Sequence, residues 1–353
     1  MAAKPIDWAS VERVLVVKLR SIGDTVLATP SLIALRRFLP NAQIDILLED
    51  WVAPVLDGLD EVDNVISIRK GTAERLRVAR ELRRQKYDVA FNLHGGTTAT
   101  FLTRVSGARH RIGLENYQYS FLYNHLLSSP VDFWGRTDLH SAEQQLALLG
   151  AVGVPVHDPP RTQLAVTQEA LTSVESRLAE TRSYEDPEKP LALLHPSTAF
   201  YTKQWPIENF SQTAEYLAGI GFSVVAIASK TENTVLHELI ARASVPITVF
   251  DDLSLPEITA LASKASVFVG NDSGIAHIAA AVGTPSVVIF GSSNRVHWRP
   301  WTDAPNEIVF TPFDCQPCPG YECKVYGTPR CILEVPPSAV FTALERVLSP
   351  PNS

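Results

Sequence analysis

Short apolar, β-branched runs alternate along the chain with longer stretches whose apolar positions recur three and four residues apart. The first pattern marks buried strands and the second amphipathic helices. In the first half, strands are predicted over 13–19, 43–48, 65–68, 89–93 and 111–113, with helices over 25–39, the basic stretch 69–86 and 97–105. Residues 151–190 break the rhythm, carrying Pro155, Pro159, Pro160, Pro187 and Pro190 around one helical stretch, 169–180. Alternation resumes with a strand over 191–194, a helix over 207–217, a strand over 222–228 and a helix over 232–241. Further segments follow over 247–250, 256–264, 267–269, 275–282 and 286–290, and a last amphipathic helix over 338–348. Strands alternating with helices imply βαβ units and mostly parallel sheets. The expectation is an α/β protein of two doubly wound domains, 1–165 and 191–353, joined by a linker over 166–190. The helix over 338–348 is a candidate to pack back on the N-terminal domain. In such sheets ligands sit at the carboxyl ends of the strands, so the strand-to-helix loops should carry the chemistry.

Composition agrees with this division. A chain of 353 residues has room for two domains at about 150 residues each. With 45% apolar and 20% charged residues it is globular, which excludes a disordered chain. A net charge of −7 argues against a nucleic-acid partner. No apolar run of about 20 residues is present to span a bilayer. The start, Met1 to Trp8, lacks the apolar core of a signal peptide, so a cytoplasmic location is expected. The charge is unevenly spread: residues 1–165 carry a net +1 and 166–353 a net −8. Between Arg69 and Lys86 eight basic residues face only Glu74 and Glu81. This stretch is either a solvated helix face or a patch for an anionic partner, a phosphorylated acceptor or an anionic membrane surface.

Three loops hold candidate chemistry. In Arg20-Ser-Ile-Gly-Asp24, Asp24 is either the cap of the next helix or a carboxylate serving as general base. In His195-Pro-Ser-Thr-Ala-Phe-Tyr-Thr-Lys-Gln-Trp-Pro206, Ser197, Thr198 and Lys203 suit a phosphate; the alternative is a polar surface loop with Trp205 packed over it as a lid. In Gly270-Asn-Asp-Ser-Gly-Ile-Ala-His277 a strand ends and a helix begins near Ser273, and its free N–H groups make an anion site. Gly274 allows close approach of a diphosphate, Asp272 would accept from a sugar hydroxyl, and His277 stands one turn in, as a ligand or as a satisfied helix histidine. The loop Phe290–Arg295 is placed to close over the same anion. Neither a G-x-G-x-x-G nor a Walker A motif occurs.

All four cysteines fall within 17 residues, as Cys315-x2-Cys318-x4-Cys323-x7-Cys331. A reducing compartment disfavours disulfides there. Four thiolates in a Pro/Gly-rich loop suit a structural zinc or an iron–sulfur cluster, with free or redox-labile thiols as the alternative. The spacing is not that of a zinc ribbon, and a catalytic role is not expected.

Taken together, Arg20-Ser-Ile-Gly-Asp24 with Ala28-Thr-Pro-Ser-Leu32, Lys203-Gln-Trp-Pro206, and Asn271-Asp-Ser-Gly-Ile-Ala-His277 with Gly283-Thr-Pro-Ser286 resemble glycosyltransferase family 9, the ADP-heptose:lipopolysaccharide heptosyltransferases and their relatives. The resemblance implies a GT-B fold: two Rossmann-like domains facing a cleft, the acceptor on the N-terminal one and the nucleotide sugar on the C-terminal one. It implies an inverting, metal-independent glycosyltransferase moving a heptose from ADP-heptose to a lipopolysaccharide core or related glycan. Asp24 matches the family's general base, Lys203 a diphosphate contact, Ser197 and Thr198 the neighbouring phosphate loop, and Asp272, Ser273, Gly274 and His277 the donor motif. Arg20, His94, Arg109 and Arg111 are candidates to hold an anionic glycolipid acceptor, with peripheral contact at the inner face of the cytoplasmic membrane. The alternatives are another nucleotide-sugar donor, a GT-B epimerase or hydrolase, and a sensor without catalysis.

Overall fold

A computed structural model describes residues 5–181, 184, 188–318 and 320–349. It divides into two compact units, residues 1–165 and 166–353. The N-terminal unit runs β1 (Arg13–Val17), α1 (Ile22–Val26), α2 (Thr29–Phe38), β2 (Gln43–Glu49), β3 (Asn64–Ile68), α3 (Thr72–Gln85), β4 (Val89–Asn92), α4 (Gly96–Val105), β5 (His110–Leu114), β6 (His125–Leu127), α5 (Pro130–Trp134) and α6 (Ser141–Gly150). Its six strands lie in the order β3-β2-β1-β4-β5-β6, every pairing parallel.

The second unit begins with α7 (Gln168–Ala179), followed by β7 (Leu191–His195), α8 (Ile207–Gly219), β8 (Ser223–Ile227), α9 (Asn233–Arg242), β9 (Thr248–Phe250), α10 (Leu255–Lys264), β10 (Val267–Asn271), α11 (Gly274–Ala281), β11 (Ser286–Ile289), α12 (Arg295–Trp298), β12 (Asn306–Val309), α13 (Arg330–Leu333) and α14 (Pro337–Leu348). The sheet order is β12-β11-β10-β7-β8-β9, again all parallel. Both sheets therefore have the doubly wound order, with the reversal beside β1 in one and beside β7 in the other.

The strands predicted as continuous apolar runs are buried on both faces, as parallel strands must be: Val14 to Val17 and Leu191 to Leu194 are all in the core. Three segments differ from expectation. The helix expected over 25–39 is two helices, because Pro30 is tolerated only in the first turn of a helix and so starts α2 anew. Helix α7 is no free linker: it buries Ala170, Val174 and Leu178, packs on α10, and Ser173 bonds Glu257 at 2.7 Å. Residues 182, 183 and 185–187 of the expected linker, Pro187 included, lie outside the described residues. Helix α14 packs on β11, β12 and α8 of its own unit, with Val340, Ala343, Leu344 and Val347 buried in that core.

Candidate active site

Asp24 lies in the first turn of α1, three residues past the Ser21 cap. It is not the cap; its carboxylate is held instead by two donors. Lys18 Nζ lies 3.1 Å from Oδ1, and Ser21 Oγ donates to Oδ2 at 2.9 Å. Lys18, only 5% exposed, also donates to the Leu93 carbonyl at 3.1 Å, which ties the end of β1 to the end of β4. Burial of the Asp24 carboxyl opposes its charge, but the Lys18 ammonium and the two hydrogen bonds outweigh it and hold the pKa below the ordinary 3.8. The result is an ionised, fixed carboxylate whose side chain is still 30% exposed.

Arg20 and His94 stand at the carboxyl ends of β1 and β4 and line one pocket with Glu49, Arg69, Lys70 and Arg75. Burial, then the nearby Lys18 charge, lowers the His94 pKa and keeps the ring neutral at pH 7. The turn carrying His94 is shaped by Asn92, whose side-chain oxygen accepts from the His94 and Gly95 N–H groups at 2.9 Å each. Gly95 takes φ +73°, a backbone conformation that strains any side chain there, and a Cβ would sit tight against the Tyr117 ring at 3.0 Å. Arg109 and Arg111 are not part of this pocket. They sit where β5 begins, at the opposite ends of parallel strands. Arg109 faces Asp88 at 3.8 Å, and Arg111 donates to the carbonyls of Leu122 and Ala108 at 2.8 and 2.7 Å. Of the basic stretch, Arg77 is spent on Glu74 and Glu81.

In the C-terminal unit, the loops after β7 and β10 meet. Asn271 at the end of β10 accepts from the Trp205 N–H at 3.1 Å and donates to the Pro196 carbonyl at 3.0 Å, which closes the loop after β7 on itself. Trp205 is no lid. It is fully buried against Phe210, with its indole N–H bonded to the Val335 carbonyl at 2.9 Å. Cutting such an anchor to alanine typically costs about 3–5 kcal/mol, so the loop bearing Lys203 is pinned to the core. Lys203 Nζ meets Asp272 Oδ2 at 2.8 Å, and Asp272 is 5% exposed. Asp272 thus holds a lysine, whereas a sugar hydroxyl was the expected partner.

Ser273 caps α11 only in position: no side chain bonds the first-turn N–H groups, which begin at Gly274. Its hydroxyl lies 3.2 Å from His195 Nδ1, and His195 Nε2 lies 3.3 Å from Ser197 Oγ. His195, driven down by burial to a pKa of about 4, is a neutral bridge between the loops after β7 and β10. The sequence signal for it is its place directly after the strand predicted over 191–194, but a core histidine looks the same. Thr198 is half-buried beside Ser197, and His277 is buried on α11.

The loop after β11 supports the Lys203 turn from behind. Ser292 N–H donates to the Thr202 carbonyl at 3.4 Å, and a methyl group at Gly291 would overlap that same oxygen. The cysteine segment locks on here: Thr202 Oγ1 donates to the Gly320 carbonyl, Cys318 N–H to Ser292 at 3.0 Å, and Gln316 to Gly291 at 2.6 Å. All four cysteines are free and line one narrow pocket with Thr202 and Ser292. Burial, then the neighbouring thiols, pushes Cys331 up to about 11, so it is a neutral thiol at pH 7. Among the described residues no three such side chains converge as ligands for one metal ion.

A sequence model of glycosyltransferase family 9 (heptosyltransferase) matches residues 75–328. The chain belongs to glycosyltransferase family 9. Lipopolysaccharide heptosyltransferase 3 of Escherichia coli is 26% identical over 345 residues, 94% of this chain and 97% of that one. Among solved structures, a family 9 glycosyl transferase from Veillonella parvula superposes with a TM-score of 0.83 at 20% identity, covering 98% of this chain and 99% of that one. The ADP-heptose lipopolysaccharide heptosyltransferase II of E. coli superposes with a TM-score of 0.79 at 20% identity, over 95% of this chain and 98% of that one. The fold of this family 9 glycosyltransferase is GT-B.

Proposed function

We propose that this glycosyltransferase moves a heptose from ADP-heptose to a lipopolysaccharide core sugar, with inversion and without a metal ion. The relatives named above support the substrates, and the observation that carries the chemistry is the fixed, ionised Asp24 carboxylate. Asp24 takes the proton of the acceptor hydroxyl as that oxygen bonds the anomeric carbon, and the bond from that carbon to the diphosphate oxygen breaks. One displacement inverts the centre. The negative charge left on ADP falls to the uncapped first turn of α11, to Lys203, and to Ser197 and Ser273, positioned through His195. Thr198, Gly274 and His277 complete the proposed donor contacts, and Arg20 and His94 the acceptor side. The gathering of the four thiols supports a shared structural role.

Among the described residues no helix is long and apolar enough to cross a membrane. Phe101, Tyr119 and Phe121 are 44%, 50% and 77% exposed on the N-terminal unit, which supports peripheral contact with the membrane that holds a glycolipid acceptor.

A screen of the purified protein against ADP-heptose and UDP-, GDP- and dTDP-sugars, without divalent metal, tests the donor. Selective binding of ADP-heptose, followed by transfer to heptose-deficient core, is expected; preference for another nucleotide sugar replaces the substrate. The pH profile tests the base. With wild-type protein the acid limb of kcat/KM lies below the ordinary carboxylate value of 3.8, because Asp24 is held in its charged form. Lys18→Met removes the largest stabilising charge, leaves burial dominant, and should move that limb up by about one pH unit or more. An unmoved limb would separate Asp24 from the rate. The same depressed pKa contributes stability above pH 3.8 that is lost as pH falls through the folded-state value.

A further inference from the structure

The peptide unit between Leu93 and His94 is gripped from both sides. Its carbonyl accepts from Lys18 Nζ at 3.1 Å, and its N–H donates to Asn92 Oδ1 at 2.9 Å. Lys18 is also the ammonium that holds Asp24 at 3.1 Å. Behind Asn92 the bonds continue in one direction. Asn92 Nδ2 donates to Tyr123 Oη at 2.6 Å, Tyr123 Oη to Thr100 Oγ1 at 2.9 Å, and Thr100 Oγ1 to the Gly96 carbonyl at 2.8 Å. Asn92, Tyr123 and Thr100 are all buried. Burial raises the Tyr123 pKa, so the hydroxyl keeps the proton that it donates. Tyr123 lies in the loop between β5 and β6, and the sheet makes room for it: a Cβ at Gly113 would come within 2.8 Å of the ring. Tyr117, from the same loop, donates to the Asn92 carbonyl at 3.2 Å and meets the Tyr123 ring edge to face.

We propose that Tyr123 is a positioning residue for the base: through Asn92 it fixes the Leu93–His94 peptide, and that peptide fixes Lys18 against Asp24. The inference rests on the reading of Asp24 as base and adds to it a residue from a loop beyond β5. Lysine is a flexible stem whose ammonium carries three donors, so its place is set by the acceptors around it. Asn92 accepts from the His94 N–H, and a peptide whose N–H is bonded has a more strongly accepting carbonyl for Lys18. Without the Tyr123 hydroxyl, Asn92 Nδ2 becomes a buried donor that has lost its acceptor, and the amide turns to find another. The peptide that Asn92 holds then shifts, and Lys18 loses its second anchor. Around the Asp24 carboxylate stand Lys18 and Arg20 after β1 and His94 after β4, and the turn Ala53–Leu56 that packs on α1 carries no titratable side chain. Lys18 is the charge that holds Asp24 ionised against its burial, so a displaced Lys18 leaves burial to dominate.

The test compares wild type, Tyr123→Phe, Lys18→Met and the double variant as whole proteins, with ADP-heptose and heptose-deficient lipopolysaccharide core as substrates. Phenylalanine keeps the ring beside Gly113 and Tyr117, so the fold and the affinity for ADP should be preserved. Turnover at pH 7 should fall about tenfold through misplacement of the base. The acid limb of kcat/KM should rise by about half a pH unit or more, in the direction expected for Lys18→Met. In the Lys18→Met background the same change should move neither further, because Tyr123 acts through Lys18. A hydroxyl that only props up the fold would lower the melting temperature equally in both backgrounds and leave the limb in place, and that result overturns the inference. A limb that moves in Lys18→Met but not in Tyr123→Phe overturns it while Asp24 stands as base; a limb that moves in neither overturns both. Urea unfolding of the same four proteins needs no substrate. There the two changes should be coupled by about threefold or more in the unfolding equilibrium constant, and additive losses overturn the inference whatever the donor. Should Tyr123→Phe fail to fold, Thr100→Val removes the next link outward and should shift turnover and limb in the same directions, with turnover down about threefold.

Discussion

Asp24→Asn is expected to lower turnover by at least about 100-fold while ADP-heptose affinity stays near the wild-type value. Asparagine preserves the shape and still accepts from Lys18, but it cannot take a proton. The change also leaves the ammonium of Lys18, 5% exposed, hydrogen-bonded but without the carboxylate that balanced its charge. A loss of stability is therefore expected beside the loss of rate, and the two must be told apart. The double variant Lys18→Met, Asp24→Asn removes both charges, so it should regain melting temperature without regaining turnover. Wild-type turnover in the single variant would sink the assignment of Asp24 as base.

The second large effect belongs to Lys203→Ala. Its cause is more than one missing cation. In the wild type Lys203 is paired with Asp272 at 2.8 Å, and Asp272 is buried beside the open first turn of α11. Removing the ammonium bares a carboxylate in the proposed diphosphate site, so repulsion is added to the lost attraction. Donor affinity should fall by about 100-fold, and turnover by about two decades more, the usual scale for losing one donor to a developing anion. Lys203→Ala with Asp272→Asn should bind ADP better than Lys203→Ala alone, and the coupling from the double-mutant cycle measures the pair. Unchanged ADP affinity in the single variant would remove Lys203 from the site.

Much of the architecture was legible because parallel strands buried on both faces leave continuous apolar runs; β1, β4, β7 and β10 all carry that mark. The strands that escaped notice, β6 and β12, lie at sheet edges, are three and four residues long, and are largely half-exposed, so no run announces them. The junction was mistaken for a linker because prolines dominate it, whereas α7 is tied down by contacts with α10 that sequence spacing does not reveal. At the candidate site, the small and polar residues after β1, β7 and β10 mark loops that follow strands, and the structure places them there. What the pattern left open was direction. Arg111 lies in a strand, as expected, but at the end where it starts, and in a parallel sheet that is the wrong side. Arg69 and Lys70 follow Ile68, the last residue of β3, and that position carried the signal which their membership of a long basic stretch obscured. His195 needed the tertiary structure, since its two partners, Ser197 and Ser273, come from different loops.

The close backbone approach at Gly291 bears on how donor choice could be re-engineered. The turn that carries Lys203 rests on Thr202, and Thr202 rests on Gly291, Ser292 and the cysteine segment with no space between them. Any side chain at 291 pries that stack apart and misplaces a lysine that it never touches. A library seeking new sugar donors should hold 202, 291, 292 and 316 constant and diversify Thr198, half-buried, and Ala199, exposed, leaving the buried Ser197 and the Phe200 that packs on Tyr321 in place. Variants drawn from the first set would be scored as failures of sugar choice when the fault is a broken foundation.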